Sequence, residues 1–183
     1  AEAFLLAGIH VICDKPLSLS LEEGLRLQSL AKASGKVFCL THNYTGYPLV
    51  RHAREMVRSG MLGEIRLVQV EYPQDWLSEP IELQGQKQAE WRTDPARSGA
   101  GGCLGDIGTH AYIPAGHPEG YLEGFANLYT EVALAIRAVD AGQPIPPEVT
   151  FPTMEDGIKG MAFIEAVVAS SQAGSTWVRP EFN

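Results

Sequence analysis

The sequence predicts an α/β fold, with part of a parallel sheet in residues 1–45 and an incomplete α+β domain in residues 46–183. Two observations lead to this prediction. Short apolar runs at residues 10–13 and 36–41 each follow a helical pattern, and helix–strand–helix–strand at this spacing is typical of parallel βαβ units. Residues 64–72 then alternate apolar and polar side chains, which indicates a half-buried strand of a different sheet.

The helices of the first region have recognisable ends. Residues 1–7 are typical of the last turns of a helix, which Gly8 terminates. A second helix is expected to begin at Ser20, because the Ser20 hydroxyl and the Glu23 carboxylate have the spacing of a capping box. Gly35 ends this helix, and its apolar stripe is formed by four leucines: Leu21, Leu25, Leu27 and Leu30.

The second region begins with a helix and a long loop. Pro48 fits the first turn of a helix that ends near Ser59, where Gly60 stops it. Residues 73–100 lack hydrophobic periodicity and contain several prolines and glutamines, so they are predicted to form a loop. Loops of this length in compact domains often carry function.

The remaining chain is predicted to be mostly helical. Residues 101–110 are a glycine-rich entry into a helix, and residues 118–141 form a long amphipathic helix. Thr153 caps a last helix that runs to about Ser170, and residues 175–178 are a predicted edge strand. The apolar face of the long helix is predicted to consist of Leu122, Phe125, Leu128, Val132 and Ile136.

Composition excludes several classes of function. Of the 183 residues 45% are hydrophobic, which is enough to bury a core, and the formal net charge is −8. This charge argues against binding to nucleic acid or to an anionic membrane, because either partner requires a basic face. No apolar run approaches the roughly 20 residues that span a bilayer. Cys13, Cys39 and Cys103 have no metal-ligand spacing, so we expect a reduced, cytoplasmic protein.

Asp106 and His110 are candidates for proton transfer. Four residues apart in a helix, they lie on the same face, and a carboxylate beside an imidazole can move a proton near neutral pH. Such a pair is more often a simple surface hydrogen bond. Four glycines in residues 101–108 favour the functional interpretation, because they let the backbone approach a ligand closely, although they also fit a tight turn.

Lys15 is a second candidate. It follows a buried strand, and ligands of parallel sheets gather at the carboxyl ends of the strands. A lysine there can polarise a substrate hydroxyl or contact a cofactor, and Pro16 fixes the backbone beside it. A solvated loop lysine is the commoner interpretation of this feature alone.

Several motifs together resemble the Gfo/Idh/MocA family of NAD(P)-dependent oxidoreductases. Asp14-Lys15-Pro16 resembles the family's Glu-Lys-Pro motif, and residues 101–110 resemble its second motif, with Asp106 and His110 at the matching positions. Further similarities, in the correct order, are Asn43, Pro48, residues 59–65, Trp91-Arg92 and residues 117–121.

The resemblance implies a fold and an activity. Residues 1–45 would be the C-terminal part of a Rossmann-type NAD(P)-binding domain, and residues 46–183 a partial substrate and oligomerisation domain. The implied reaction transfers a hydride between NAD or NADP and a hydroxyl-bearing carbon of a sugar, an inositol or a related polyol. The full-length form would be a homo-oligomer.

The resemblance also implies residue roles. Lys15, Asp106 and His110 would be catalytic: Lys15 orients the reacting hydroxyl, Asp106 holds substrate, and His110 is the general base. Cofactor contacts would come from Asp14, Lys15, Pro16 and Asn43, and substrate contacts from Lys15, Trp91, Arg92, Asp106 and His110.

The chain departs from the family in two places. It contains no G-x-G-x-x-G between a strand and a helix, so the expected pyrophosphate-binding segment is not in this sequence. After the second motif, it continues almost at once to residues 117–120, which indicates an internal deletion near Tyr112 or Ile113. Residues 64–72 would then be a strand with unpaired edges, which predicts aggregation or a partner that supplies strands.

Two other interpretations remain open at this stage. One is an inactive fragment or a non-catalytic, oligomerising remnant of such an enzyme, although Lys15, Asp106 and His110 are all retained. The other is a metal-dependent hydrolase that uses His42 and His52 together with the Asp106–His110 pair, for which no recognised ligand motif is present.

Overall fold

In a computed structural model of the chain, the described residues are 1–69, 79–99, 102 and 120–181. Two parallel strands, β1 (Val11–Cys13) and β2 (Phe38–Leu40), are joined by helix α2 (Leu21–Ser34). Val11 lies opposite Phe38, and Cys13 lies opposite Leu40. The predicted parallel βαβ unit and the α/β class are therefore confirmed.

Helices make up the rest of the described secondary structure. Helix α1 (Glu2–Leu6) precedes β1, and a 3₁₀ turn at Asn43–Gly46 follows β2. A second 3₁₀ turn lies at Ile81–Gln84. The helices other than α2 are α1 (Glu2–Leu6), α3 (Pro48–Arg58), α4 (Lys87–Thr93), α5 (Pro95–Ser98), α6 (Tyr121–Asp140) and α7 (Met154–Gln172). None of the described helices combines the length and apolar character that crossing a bilayer requires.

The start of α2 differs in detail from the predicted capping box. The Ser20 hydroxyl accepts the backbone N–H of Glu23 at 3.3 Å, as expected. The Glu23 carboxylate instead accepts the N–H of Leu19, at 3.2 Å. The N–H of Leu21 is accepted by Glu165 of α7 at 2.9 Å, so this helix end depends on a distant carboxylate as well as on its own cap.

Strand β2 contributes to two apolar clusters, one on each side of the sheet. Phe38 and Leu40 belong to a cluster built with α1, α2 and α7, against which the predicted leucine stripe of α2 packs. Cys39 belongs to the other cluster, which is built mainly with α6. The residue-by-residue alternation of a strand thus places neighbouring side chains of β2 in different cores.

Helix α6 crosses directly over the 3₁₀ turn that follows β2. A Cβ atom at Gly46 would collide with the backbone carbonyl of Gly124, so only glycine permits this close approach of the two backbones. The Asn127 side chain also donates a hydrogen bond to the Gly46 carbonyl at 2.8 Å. These contacts fix the turn at the carboxyl end of β2.

The predicted strand at residues 64–72 is wrong for its described part. Residues 64–69 form no strand, and residues 70–72 lie outside the described residues. A strand needs a neighbouring strand for its backbone groups, and the sheet of the described residues consists of β1 and β2, without this segment. Its apolar side chains are exposed instead, Leu67 by 77% and Val68 by 72%.

The predicted loop at residues 73–100 is also wrong for its described part, residues 79–99, because residues 81–98 contain the second 3₁₀ turn, α4 and α5. Residues 73–78 and 100 lie outside the described residues. The Gln86 side chain caps α4 by accepting the N–H groups of Gln88 and Ala89. The Asp94 carboxylate accepts the N–H of Ala96 at the start of α5. Such local caps stabilise short helices that hydrophobic periodicity does not reveal.

The C-terminal helices are confirmed, with two corrections. The Asp156 carboxylate accepts the N–H of Thr153, which is the predicted cap of α7. Leu122 of α6 is 76% exposed and does not belong to the buried face, whereas Leu128 and Val132 are buried as predicted and Ala135 is buried beside them. Residues 175–178 form no strand, since no described strand lies beside them.

Candidate active site

A cavity of about 400 Å³ opens at the carboxyl end of β1. The loop after β1 forms one part of its wall, α4 and α5 form a second, and α7 forms a third. Five of the predicted site residues line it: Asp14, Lys15, Pro16, Trp91 and Arg92. The other lining residues are Ser18, Leu19, Arg97, Ser98, Gly102, Met161 and Ile164.

The loop that carries Lys15 is tied to the neighbouring strand. The buried Thr41 hydroxyl donates to Asp14 Oδ1 at 2.8 Å, and the backbone N–H of Lys15 donates to the same oxygen at 2.9 Å. The backbone N–H of Thr41 also donates to the Cys13 carbonyl. The half-buried Lys15 therefore leaves the sheet from a defined position, and its peptide bond to Pro16 is cis.

Helices α4 and α5 supply cationic side chains. The Arg92 guanidinium stacks on the Trp91 ring, 4.4 Å from the ring centroid. Arg92 Nη1 also donates to the Gln88 carbonyl oxygen at 2.8 Å and to Gln88 Oε1 at 2.7 Å. Arg97 on α5 forms an ion pair with Glu90, with 3.1 Å between Nη1 and Oε1.

Helix α7 supplies the apolar part of the wall through Met161 and Ile164. Both side chains also belong to the core cluster on the α2 side of the sheet. Gly157 of the same helix lies against Leu17 and Leu40, so the helix packs closely on the loop after β1 and on β2. The apolar wall is therefore fixed relative to Lys15 by core packing.

Asn43, a predicted cofactor residue, lies at the carboxyl end of β2 and does not line the cavity. Its side chain is almost completely buried, and Nδ2 has no hydrogen-bond partner among the described residues. A buried amide N–H without an acceptor is costly, so this position suits a ligand that offers a polar oxygen. Asn43 thus fits the contact that the resemblance implies for a nicotinamide cofactor.

His42 is a mostly buried titratable group at the carboxyl end of β2. Burial lowers the pKa of His42, and the Lys15 cation lowers it further, whereas the Asp156 carboxylate opposes both. The imidazole is therefore predominantly neutral at neutral pH. The positive charge of Lys15, after β1, thus lowers the pKa of His42, after β2.

Asp106 and His110, predicted to be catalytic, lie outside the described residues. The metal-site hypothesis needed them together with His42 and His52. Within the described ranges, no group of three or more His, Cys, Asp or Glu side chains could hold a metal ion. His52 is exposed on α3, whereas His42 is mostly buried after β2.

Sequence reasoning missed several residues of this site. Arg97 and Ser98 lie in what was predicted to be loop, although Asp94-Pro95 is a usual helix start that could have revealed α5. Met161 and Ile164 are spaced as ordinary core positions of a helix, and no local signal distinguishes a cavity wall from a core. The Thr41 hydroxyl is visible only once the strands are paired.

Two family models match the chain. Residues 1–42 match "Oxidoreductase family, NAD-binding Rossmann fold", and residues 50–113 match "GFO/IDH/MocA C-terminal domain". An uncharacterised oxidoreductase of Bacillus subtilis is 36% identical over 111 residues, which are 61% of this chain and 28% of that protein. The levoglucosan dehydrogenase of Pseudarthrobacter phenanthrenivorans is 34% identical over 104 residues, which are 57% of this chain and 25% of that enzyme. The matches thus span only about a quarter of these relatives.

Solved structures share the fold. An oxidoreductase from Sinorhizobium meliloti has a TM-score of 0.72 at 30% identity, covering 97% of this chain and 75% of that one. An inositol dehydrogenase homologue from Azotobacter vinelandii, solved with NAD⁺, has a TM-score of 0.87 at 24% identity, covering 97% and 74%. Both likenesses agree with the Rossmann-type assignment of the first strands.

Proposed function

The chain belongs to the Gfo/Idh/MocA family of oxidoreductases, and on that premise we propose that it contributes the reaction site of an NAD(P)-dependent sugar, inositol or polyol dehydrogenase. The observation that carries this proposal is the cavity in which Asp14-Lys15-Pro16 meets Trp91-Arg92. Residues far apart in the sequence, each predicted from a separate motif, line the same space.

The proposed domains divide the chain after the second strand. Residues 1–45 are proposed as the C-terminal part of the NAD(P)-binding domain, and residues 46–183 as a partial substrate and oligomerisation domain. The parallel β1–α2–β2 unit supports the first assignment. Free Cys13 and Cys39 fit the proposed cytoplasmic setting.

Lys15 is proposed to orient the reacting hydroxyl. Lys15 lines the cavity from a loop that the hydrogen bond between Thr41 and Asp14 holds in place. A positive charge beside a hydroxyl stabilises the alkoxide character that develops as the proton leaves, so Lys15 favours oxidation of the carbon. Trp91 and Arg92 are proposed to hold the rest of the substrate.

The proton is proposed to move through His110, with Asp106 holding the substrate. Bound NAD(P)⁺ supplies the acceptor for the hydride that leaves the substrate carbon. His110 takes the hydroxyl proton as the carbonyl forms, and it returns this proton to the oxygen in the reverse direction. Asp14, Pro16 and Asn43 are proposed to contact the cofactor. The buried Asn43 Nδ2, which has no hydrogen-bond partner among the described residues, supports this role for Asn43.

The test of this proposal is cofactor binding by the purified chain. We expect weak but saturable quenching or enhancement of NADH or NADPH fluorescence, after circular dichroism has shown cooperative unfolding. The binding should be weak because the sequence lacks the pyrophosphate-binding segment. Lys15→Ala should weaken the binding at least several-fold, because it removes a cation from the site. Lys32→Ala is the matched control, since Lys32 is exposed on α2 and does not line the cavity.

Two results would contradict the enzymatic proposal for this chain. The first is a folded chain that binds neither cofactor, and the second is equal binding by the Lys15→Ala and Lys32→Ala variants. If such a chain also self-associates in sedimentation experiments, the alternative of a non-catalytic, oligomerising remnant is supported. The exposed apolar segment around Leu67 and Val68 favours that alternative.

A further inference from the structure

We propose that the substrate of this site carries an anionic group, a carboxylate or a phosphate, in addition to the reacting hydroxyl, and that Arg97 together with Arg92 binds it. This inference rests on the proposed function, and it narrows the substrate class to sugar acids or sugar phosphates. It also assigns a binding role to Arg97, which no motif singled out.

The charges of the cavity differ in sign from those of the whole chain. The chain has a formal net charge of −8. Among its described residues, the cavity is lined by three cations, Lys15, Arg92 and Arg97, and by one carboxylate, Asp14. Oδ1 of Asp14 already accepts two hydrogen bonds, from Thr41 and from the Lys15 backbone. Two of the three cations, Arg92 and Arg97, lie on the α4–α5 side of the cavity, where Arg97 pairs with Glu90.

The hydrogen-bonding chemistry of that side favours an anion over a neutral polyol. A guanidinium group has donors and no acceptor, and its planar fork matches a carboxylate or a phosphate. Neutral hydroxyls require acceptors as well as donors from the protein. Arg92 is held by the Trp91 ring and by Gln88, so its orientation is set before a ligand arrives.

Arg97 can leave its ion pair and bind a ligand with little loss of stability. Its ion pair with Glu90 lies at the surface, with about half of each side chain exposed. Exposed ion pairs of this kind contribute little to stability, so an incoming anion can replace Glu90 readily. Arg97 comes from α5 and Arg92 from α4, and both line the same cavity.

The opposite wall of the cavity can pack against the carbon skeleton of the substrate. Leu19, Met161 and Ile164 are apolar, and they line the cavity together with the cationic residues. A ligand with a charged end and a face of C–H groups can satisfy both walls at once. The arginines would hold the anionic group of a sugar acid or sugar phosphate, and this contact would orient its hydroxyl towards Lys15.

The experiment compares three probes that share one sugar skeleton: glucose, gluconate and glucose 6-phosphate. Their binding to the whole chain is measured by calorimetry at low ionic strength. We expect gluconate, glucose 6-phosphate or both to bind about tenfold or more tightly than glucose, the factor expected from one charge-assisted hydrogen bond. Added salt should weaken this preference. Preference for only one of the two anions identifies the carboxylate or the phosphate as the recognised group.

Arg97→Gln should abolish most of the preference, measured as the ratio of the affinity for gluconate or glucose 6-phosphate to the affinity for glucose. Arg26→Gln is the matched control, because Arg26 is an exposed arginine of α2 that pairs with Glu2 and does not line the cavity. Circular dichroism verifies that both variants fold. Equal binding of glucose and the anions by the wild-type chain, no binding of either anion, or an unchanged preference in Arg97→Gln would each overturn the inference.

A parallel NADH titration separates this inference from the proposed function. Normal NADH binding without an anion preference contradicts the inference alone. An anion preference that depends on Arg97, in a chain that binds neither NADH nor NADPH, supports the anion site and contradicts the proposed function.

Discussion

The hydrogen bond between Thr41 and Asp14 joins the ends of the two strands. It holds in place the loop that carries Lys15. The buried Thr41 hydroxyl donates to an exposed carboxylate at 2.8 Å. We expect Thr41→Val to lower the free energy of unfolding by about 1 kcal/mol, because hydrogen bonds to charged groups are worth more than neutral ones but this carboxylate can return to water. Urea denaturation measures this change.

A double-mutant cycle with Asp14→Ala tests whether the bond itself is responsible. The effects of the two substitutions should be less than additive, with a coupling energy of about 1 kcal/mol. Strict additivity would show that Thr41 acts through packing alone.

The buried His42 makes stability depend on pH. Because burial lowers the pKa of His42 below its ordinary value of 6.5, the unfolded chain binds a proton more readily than the folded chain. This contribution to stability is complete above pH 6.5, and it is lost as the pH falls below that value, by at most about 1.4 kcal/mol per pH unit.

We therefore expect His42→Gln to lose less stability than the wild-type chain between pH 7 and pH 5, as measured by urea denaturation at each pH. His52→Gln, at an exposed position of α3, should retain the wild-type profile. Parallel profiles for the wild-type chain and His42→Gln would refute the assignment.

At the scale of residues, the family motifs predicted more of the site residues than arguments from single side chains did. Asp14, Lys15, Trp91 and Arg92 were each named from the sequence, and they line one cavity. Arg97 was not named, because a single arginine in an aperiodic segment carries no signal until α5 places it beside the others. Spacing can identify residues of a motif, but it cannot show which unrelated side chains the fold brings to them.

At the scale of elements, α7 contains two glycines that differ only in what surrounds them. A Cβ at Gly157 would lie 3.1 Å from Leu17 Cβ and from Leu40 Cδ2, inside the core. Gly160, three residues later, has no atom within 4 Å of such a Cβ. Gly157→Ala should therefore cost about 1–2 kcal/mol through overpacking. Gly160→Ala should gain about 0.5–1 kcal/mol from helix propensity.

Thermal or urea denaturation of the two variants provides the measurement, and each variant is the control for the other. If Gly157→Ala also stabilises the chain, α7 does not pack closely on the loop that carries Lys15. That outcome would remove the reason for a fixed apolar wall in the cavity.

Helices and strands could be predicted where residues within the element itself determine its conformation. Helices α2 and α7 begin at N-cap residues that the sequence identifies, Ser20 and Thr153. A strand depends on a partner elsewhere in the chain, so the alternation at residues 64–72 could not ensure a strand at residues 64–69. Short helices such as α4 were not predicted although they form, because seven residues are too few to show a clear helical period.

At the scale of the whole molecule, β2 couples the two apolar clusters. Leu40 faces the cluster that contains Ile158 of α7, and Cys39 faces the cluster that contains Leu128 of α6. Both leucines and Cys39 are fully buried. Since consecutive residues of one short strand hold both cores, neither core can separate from the sheet without loosening the other.

This arrangement predicts a single cooperative unfolding transition to which both faces contribute. Leu128→Ala and Ile158→Ala should each lower the unfolding free energy by about 2–5 kcal/mol, through lost burial and the cavity left behind. In each variant, amide hydrogen exchange should accelerate equally for the slowest amides of α6 and of α7, because both helices open in the same event. Leu122→Ala is the control on α6, since Leu122 is 76% exposed and should change stability by less than about 0.5 kcal/mol. Faster exchange confined to α6 in Leu128→Ala would show that the two cores unfold separately, and then the cavity walls on α7 would keep their structure without α6.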